Sequence, residues 1–195
     1  MLVLVGLGNP ETKYSLNRHN VGFMAIDNLV ESYKLGPYKT KFQSHIVTKK
    51  INNTPIIFAK PQTFMNLSGQ SVRNILNFYK LECKNLIVIH DDLDLNIGIV
   101  KTKIGGSSGG HNGLKNLDSI VGKNYRRLRI GIGHPGNKNL VNNHVLGNFS
   151  ENENIIISNI IQNITLNLDK IIKNKDDNLS EFLAKNINNK EQNGI

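Results

Sequence analysis

Short apolar runs closed by turn residues alternate along this chain with stretches in which apolar positions recur every three or four residues. That alternation predicts an α/β protein. Leu2 to Leu7 is an apolar run ended by Gly8-Asn9-Pro10 and reads as a buried strand. Val21, Met24, Ala25, Leu29, Val30 and Tyr33 fall on one helical face, giving a helix over 21–33. Residues 42–51 and 54–60 read as strands joined at Asn52-Asn53. A helix over 68–79 follows, with Val72, Ile75, Leu76 and Tyr79 on its apolar side. Leu86 to Ile89 is a buried strand stopped by His90-Asp91-Asp92. Residues 97–104 form another strand, 105–110 a Gly-Ser loop, 111–121 a short helix, and 127–133 a further strand closed by Gly133-His134-Pro135-Gly136. Helices over 152–172 and 179–187 finish the pattern, and 188–195 reads as a frayed tail. The order predicts a single α/β domain over 1–187, with a mostly parallel mixed central sheet flanked by helices and closed by C-terminal helices.

Composition narrows the class. A chain of 195 residues suits one core. No apolar stretch approaches the roughly 18 residues of a membrane helix, and the first residues carry no leader pattern, so a cytoplasmic protein with no membrane partner is expected. The single cysteine, Cys83, rules out an internal disulfide and reads as a small buried thiol. Net charge is +9, and it is uneven: residues 1–150 carry 19 Lys/Arg against 8 Asp/Glu, or +11, while 151–195 carry 5 against 7, or −2. A polyanion is therefore the leading partner class for the body of the chain, not for its last quarter.

Ligand sites of open α/β sheets lie beyond the carboxyl ends of the strands. Asn9, Thr63 to Asn66, Asp91 with Asp92, and His134 all fall at such ends, while His19 and Asn112 stand where loops lead into helices, so these residues are expected to converge. Phosphate-loop motifs fail on spacing. Gly6-Leu7-Gly8 has Glu11 where a dinucleotide fingerprint needs its third glycine, and Gly105 to Gly110 is followed by His111-Asn112 where a nucleotide-binding loop needs Lys and Ser/Thr. Asp92 to Asn96 opens like a calcium loop, but Ile97 and Lys103 replace its glycine and its final carboxylate. No cofactor and no metal are expected.

Two catalytic patterns remain. Gly105-Gly106-Ser107-Ser108-Gly109 matches the nucleophile elbow of serine hydrolases, which would make Ser107 or Ser108 the attacking group; a flexible loop on a helix amino terminus is the plainer reading. The other pattern is a histidine with a carboxylate: His19 could take a proton from water while Asp91 fixes its tautomer. Asn9, Asn66 and Asn112 could donate to a carbonyl oxygen that gains charge, an arrangement suited to ester hydrolysis. An RNA-binding module without chemistry is the alternative from another class.

At these residues the chain resembles the bacterial-type peptidyl-tRNA hydrolases over nearly its whole length. The blocks that carry the likeness are Gly6 to Pro10 with Tyr14 and Arg18-His19-Asn20-Val21-Gly22; Lys60-Pro61-Gln62-Thr63-Phe64-Met65-Asn66-Leu67-Ser68-Gly69; His90 to Asp94; and Gly105 to Leu114 continuing into Arg129 to Pro135. The resemblance implies a monomeric cytoplasmic enzyme that cleaves the ester joining a peptide to the 3′-terminal ribose of tRNA and so returns tRNA after abortive translation. It implies that His19 is the base and Asp91 its carboxylate. Asn9, Tyr14, Phe64, Met65, Asn66 and Asn112 would contact the peptide or the tRNA end, and Lys103 and Arg129, with Lys101, would hold backbone phosphate. It also implies a helical lid over 138–146. Asn17 stands where the family commonly has Thr, and Asp92 where Glu is frequent.

Overall fold

A computed structural model describes residues 1–173. Its centre is a seven-stranded sheet in the order β2-β3-β4-β1-β5-β7-β6, made from β1 (Leu2–Gly6), β2 (Lys39–Lys41), β3 (Ser44–Ile51), β4 (Thr54–Pro61), β5 (Leu86–Asp92), β6 (Val100–Ile104) and β7 (Arg126–Gly131). The four central strands β4, β1, β5 and β7 run parallel, and β2, β3 and β6 are antiparallel additions at the two edges. The expected mixed sheet with a parallel centre is what forms.

Alternation along the strands divides the core between two faces. Leu4, Phe58, Ile87 and Ile89 pack under α1 (Val21–Ser32), α5 (Glu151–Leu166) and α6 (Leu168–Lys173). Val3, Val5, Ile57, Ala59 and Val88 pack under α2 (Ser68–Phe78) and α3 (Asn112–Val121). The chain builds β3 and β4 on one side of β1, then crosses to place β5 and β7 on the other. The carboxyl ends of β1 and β5 are thus the switch point where ligands of such sheets bind.

Several boundaries differ from the sequence reading. Lys39-Thr40-Lys41 forms an extra edge strand that is exposed throughout. It carries no apolar signal, and its lysines suit an unpaired edge. Residues 42 and 43 are the hairpin turn before β3, not strand: Phe42 and Gln43 have φ of 57° and 54°. Asn52 and Asn53, at 43° and 68°, make the other hairpin turn as predicted. The strand expected over 97–104 begins only at Val100, because Gly98, with φ +91°, turns the chain first. The helix expected over 152–172 is broken at Asn167, whose Nδ2 bonds back to the Asn163 carbonyl at 2.8 Å. Ser150 and Glu153 form the capping box that starts α5. The segment expected as a helical lid forms a 3₁₀ turn, Lys138–Leu140, leading into α4 (Val141–Val145). The predicted helix 179–187 and tail 188–195 lie outside the described residues.

One packing detail fixes the site. Any Cβ on Gly6 would lie 2.1 Å from the Gly22 carbonyl oxygen, and one on Gly22 would lie 2.4 Å from the Ile89 oxygen. Glycine at both positions lets the first turn of α1 sit directly on the ends of β1 and β5. The residues just before α1 are thereby delivered to the end of β5.

Candidate active site

Those residues form the 3₁₀ turn Arg18–Asn20, and its His19 meets Asp91, which is an inward residue of β5 itself because that strand runs on to Asp92 instead of stopping at Ile89. His19 Nδ1 lies 2.9 Å from both carboxylate oxygens. Facing an anion, Nδ1 carries the proton, which leaves Nε2 of the neutral ring as a free lone pair. Burial works against charge on His19, but the Asp91 carboxylate and its hydrogen bond outweigh it and raise the ring above its ordinary 6.5. Burial likewise opposes the Asp91 charge, yet His19 and His111 hold its carboxyl well below the usual 3.8.

His111 was not singled out from sequence as a site residue. It is the N-cap of α3, where its Nδ1 accepts the amides of Gly113 and Leu114 at 3.1 and 3.3 Å. Its Nε2 therefore bears the proton and donates to Asp91 Oδ1 at 3.0 Å. The only signal in the sequence was position, a histidine opening a helix after a glycine loop. His90, fully buried, donates from Nδ1 to the Asp91 carbonyl at 2.7 Å. Burial, then the neighbouring His111, push its pKa down to about 3, so the ring is neutral at physiological pH.

His19, Asp91 and His111 have potential ligand atoms within 4.8 Å of one another, the one such group of three among the described residues. Each of these nitrogens is already committed to an N–H···O bond with Asp91, so a cation would have to displace both protons.

Two adjoining cavities open at His19. The smaller, about 70 Å³, lies between His90, Asp91, the loop 108–112 and α4. The larger, about 390 Å³, is lined by Asn9, Phe64, Met65, Asn66, Asn112, Asn142, Val145 and Leu146 together with His19. Asn9 is held rigidly: its backbone N–H donates to Asn20 Oδ1 and its carbonyl accepts from Asn20 Nδ2, both at 2.9 Å, while its Oδ1 accepts the Met65 amide at 2.9 Å. That bond fixes the side-chain amide and leaves the two N–H donors of Nδ2 for a substrate. Asn66 and Asn112 are exposed, Phe64 is 48% exposed at the rim, and Met65 is buried in the floor.

The expected convergence is therefore met by Asn9, His19, Phe64, Met65, Asn66, Asp91, Asp92 and Asn112, but not by all. His134 is exposed and turns back to accept the Gly136 amide at 3.0 Å. Tyr14 lies outside the lining of both cavities, with the Lys13 ammonium 4.8 Å over its ring. Ser108 lines the smaller cavity and Ser107 is exposed, but the neighbouring His111 has both nitrogens engaged and cannot serve either as a base. The serine-elbow alternative therefore has no base in the adjacent histidine.

The basic residues Lys101, Lys103 and Arg129 share one face at the β6–β7 edge, where Lys101 pairs in register with Arg129 and Lys103 with Arg127. The two lysines are exposed, and Arg129 Nε is held by Asp92 at 2.6 Å. Buried Arg127 bonds the carbonyls of Ser107 and Gly106 and pairs with Asp118, pinning the glycine loop beside Lys103.

The segment around α4 is fastened from the other side. Asn17 Nδ2 donates to the Leu146 carbonyl at 2.5 Å and to Asn148 Oδ1 at 2.8 Å. Arg18 bonds the Asn148 carbonyl at 2.7 Å and pairs with Glu153 at 2.7 Å. The turn that carries His19 and the segment following α4 are thus one connected unit.

Comparison with known proteins agrees with this arrangement. The family model described as peptidyl-tRNA hydrolase matches residues 3–193. The peptidyl-tRNA hydrolase of Bartonella henselae is 53% identical over 151 residues, which is 77% of this chain and 78% of that protein. That of Rhizobium rhizogenes is 52% identical over the same length, which spans 63% of the longer relative. In three dimensions, the crystal structure of peptidyl-tRNA hydrolase from Acinetobacter baumannii superposes with a TM-score of 0.89 at 34% identity, covering 94% of each chain. By fold, by sequence and by the residues at the end of β5, the chain belongs to the peptidyl-tRNA hydrolase family.

Proposed function

We propose that this chain hydrolyses the ester between a peptide and the 3′-terminal ribose of tRNA, with His19 as general base. The observation that carries the reading is the His19–Asp91 bond: Asp91 accepts from Nδ1–H, and Nε2 is left free at the mouth of the larger cavity. Nε2 removes a proton from water, and the oxygen attacks the ester carbonyl carbon. Asp91 offsets the positive charge that forms on the ring. Asn66, Asn112 and the Asn9 amide donate to oxygens of the substrate, with no proton of their own to lose. As the tetrahedral species collapses, the bond to the ribose 3′-oxygen breaks, and the imidazolium returns its proton to that oxygen.

Asn9 also offers a basis for choosing blocked substrates. Its Nδ2 N–H donors suit the carbonyl of an acylated nitrogen and repel a free ammonium. Lys101, Lys103 and Arg129 would hold tRNA phosphate at the neighbouring sheet edge, positioning the RNA without reading its sequence. The same reading includes a monomer working in the cytoplasm, where tRNA is used. No helix among the described residues is long and apolar enough to cross a membrane.

The test is release of the acyl group from N-acetyl-aminoacyl-tRNA, compared with unblocked aminoacyl-tRNA, in EDTA. The expected result is cleavage of the blocked substrate only. Salt-sensitive tRNA binding with no cleavage would instead support the binding-module alternative.

A further inference from the structure

A third cavity, about 240 Å³, lies on the far side of Asn9 from His19, between the loop after β1, the first turns of α1 and the ends of β3 and β4. Asn9 stands in its wall and in the wall of the larger active-site cavity, so the two adjoin at that residue. Its distinctive group is Lys60, the first residue of the Lys60-Pro61-Gln62 motif, to which the chemistry above gives no role. The Lys60 side chain is 13% exposed, and its ammonium lies 4.7 Å over the Tyr38 ring and 5.4 Å over that of Phe23. Asp27 accepts one Lys60 N–H at 2.5 Å, and an ammonium carries three. Asp27 also accepts the Tyr38 hydroxyl at 2.7 Å and is itself about half exposed. Glu11 completes the rim. Burial, with the Lys60 charge behind it, lowers the pKa of His45, the register partner of Lys60 on β3, so that side adds no second cation at neutral pH.

A cavity whose lining holds a fixed cation, Lys60, paired with the Asp27 carboxylate favours a neutral chain that offers both an acceptor and a donor, which is what a peptide backbone does. We propose that this cavity receives the main chain of the peptide one residue beyond the carbonyl read by Asn9, with Lys60 donating to the next carbonyl and Asp27 accepting a backbone N–H. This rests on the hydrolase reading and extends it. One residue of extended chain covers about 3.5 Å, so the peptide passes Asn9 and enters this cavity without a fold. Because only main-chain groups are recognised, the subsite senses peptide length and not sequence.

The experiment compares N-acetyl-aminoacyl-tRNA with N-acetyl-dipeptidyl-tRNA bearing the same esterified residue. The shorter substrate ends at the carbonyl read by Asn9, and only the longer one reaches Lys60. Wild-type protein is expected to show the lower KM for the dipeptidyl substrate. Lys60→Met keeps the stem over the two rings and removes the donors; it is expected to raise KM for the longer substrate roughly tenfold, the scale of one charge-assisted hydrogen bond, with kcat held and the shorter substrate changed less than twofold. Lys60→Arg should restore part of the preference. If Lys60→Met does not fold, Asp27→Asn provides the same comparison from the carboxylate paired with Lys60, with a smaller rise in KM for the longer substrate alone. Equal losses on both substrates, or no loss on either, would overturn the subsite. Wild-type protein that cleaves both substrates equally well removes the subsite and leaves the hydrolase reading standing, whereas failure to cleave either removes the hydrolase reading.

Discussion

The turn before α1 and the cap of α3 each bring a histidine to the same carboxylate, and the two rings differ in which nitrogen they turn to it and in what the other nitrogen meets. His19 has Nε2 open to the larger cavity; His111 has Nδ1 filled by the amides of Gly113 and Leu114. One ring can therefore gain and lose a proton during turnover, while the other serves as a fixed donor that orients Asp91. Proximity to a carboxylate does not make a histidine a base; a free lone pair facing the substrate does.

Substitutions can break that contrast, beginning with the largest effect. His19→Gln keeps polarity and removes the base, and kcat on N-acetyl-aminoacyl-tRNA should fall by about 10² to 10⁴ with the circular-dichroism spectrum unchanged. Asp91→Asn removes the charge that supports the imidazolium, and a fall of about 10² in kcat is expected in the same assay. His111→Ala should cost about tenfold in rate, and about 1 kcal/mol in stability through loss of the α3 cap, read from urea unfolding. His111→Asn can still cap the helix, so it should recover most of the stability but not the rate, separating the two duties of that ring. The smallest effect is expected at the lid: Asn17→Ala loses two hydrogen bonds to the segment after α4, at about 1 kcal/mol each, and should raise KM by a few fold while leaving kcat nearly intact.

The same contrast explains what could be read from the chain alone. Asp91 was legible because it ends the apolar run Leu86 to Ile89, and His19 because it opens a strongly periodic helix. His111 was not, since its role depends on which nitrogen caps α3, and helix position in a sequence does not fix a tautomer. β2 was missed because Lys-Thr-Lys becomes a strand only by pairing with β3. His134 was expected at the rim because it follows a strand, but Gly133, with φ +69°, turns the backbone there, and the ring caps the next turn. The substitution at Asn17 was visible as a departure from the family pattern, while its consequence was not: two donors on one amide fasten a segment more than a hundred residues away.

The most direct test of the His19–Asp91 pair is the pH dependence of kcat/KM on N-acetyl-aminoacyl-tRNA for wild type and Asp91→Asn. Activity needs the neutral His19 ring, so the rate should rise with pH through a single ionisation. In the wild type its midpoint should lie above the ordinary 6.5, because Asp91 holds the proton on the ring against the effect of burial. Without the carboxylate, burial acts alone, and the midpoint should move below 6.5 as the plateau rate falls. A midpoint that stays in place in Asp91→Asn, or a wild-type rate that does not titrate, would contradict His19 as the base supported by Asp91.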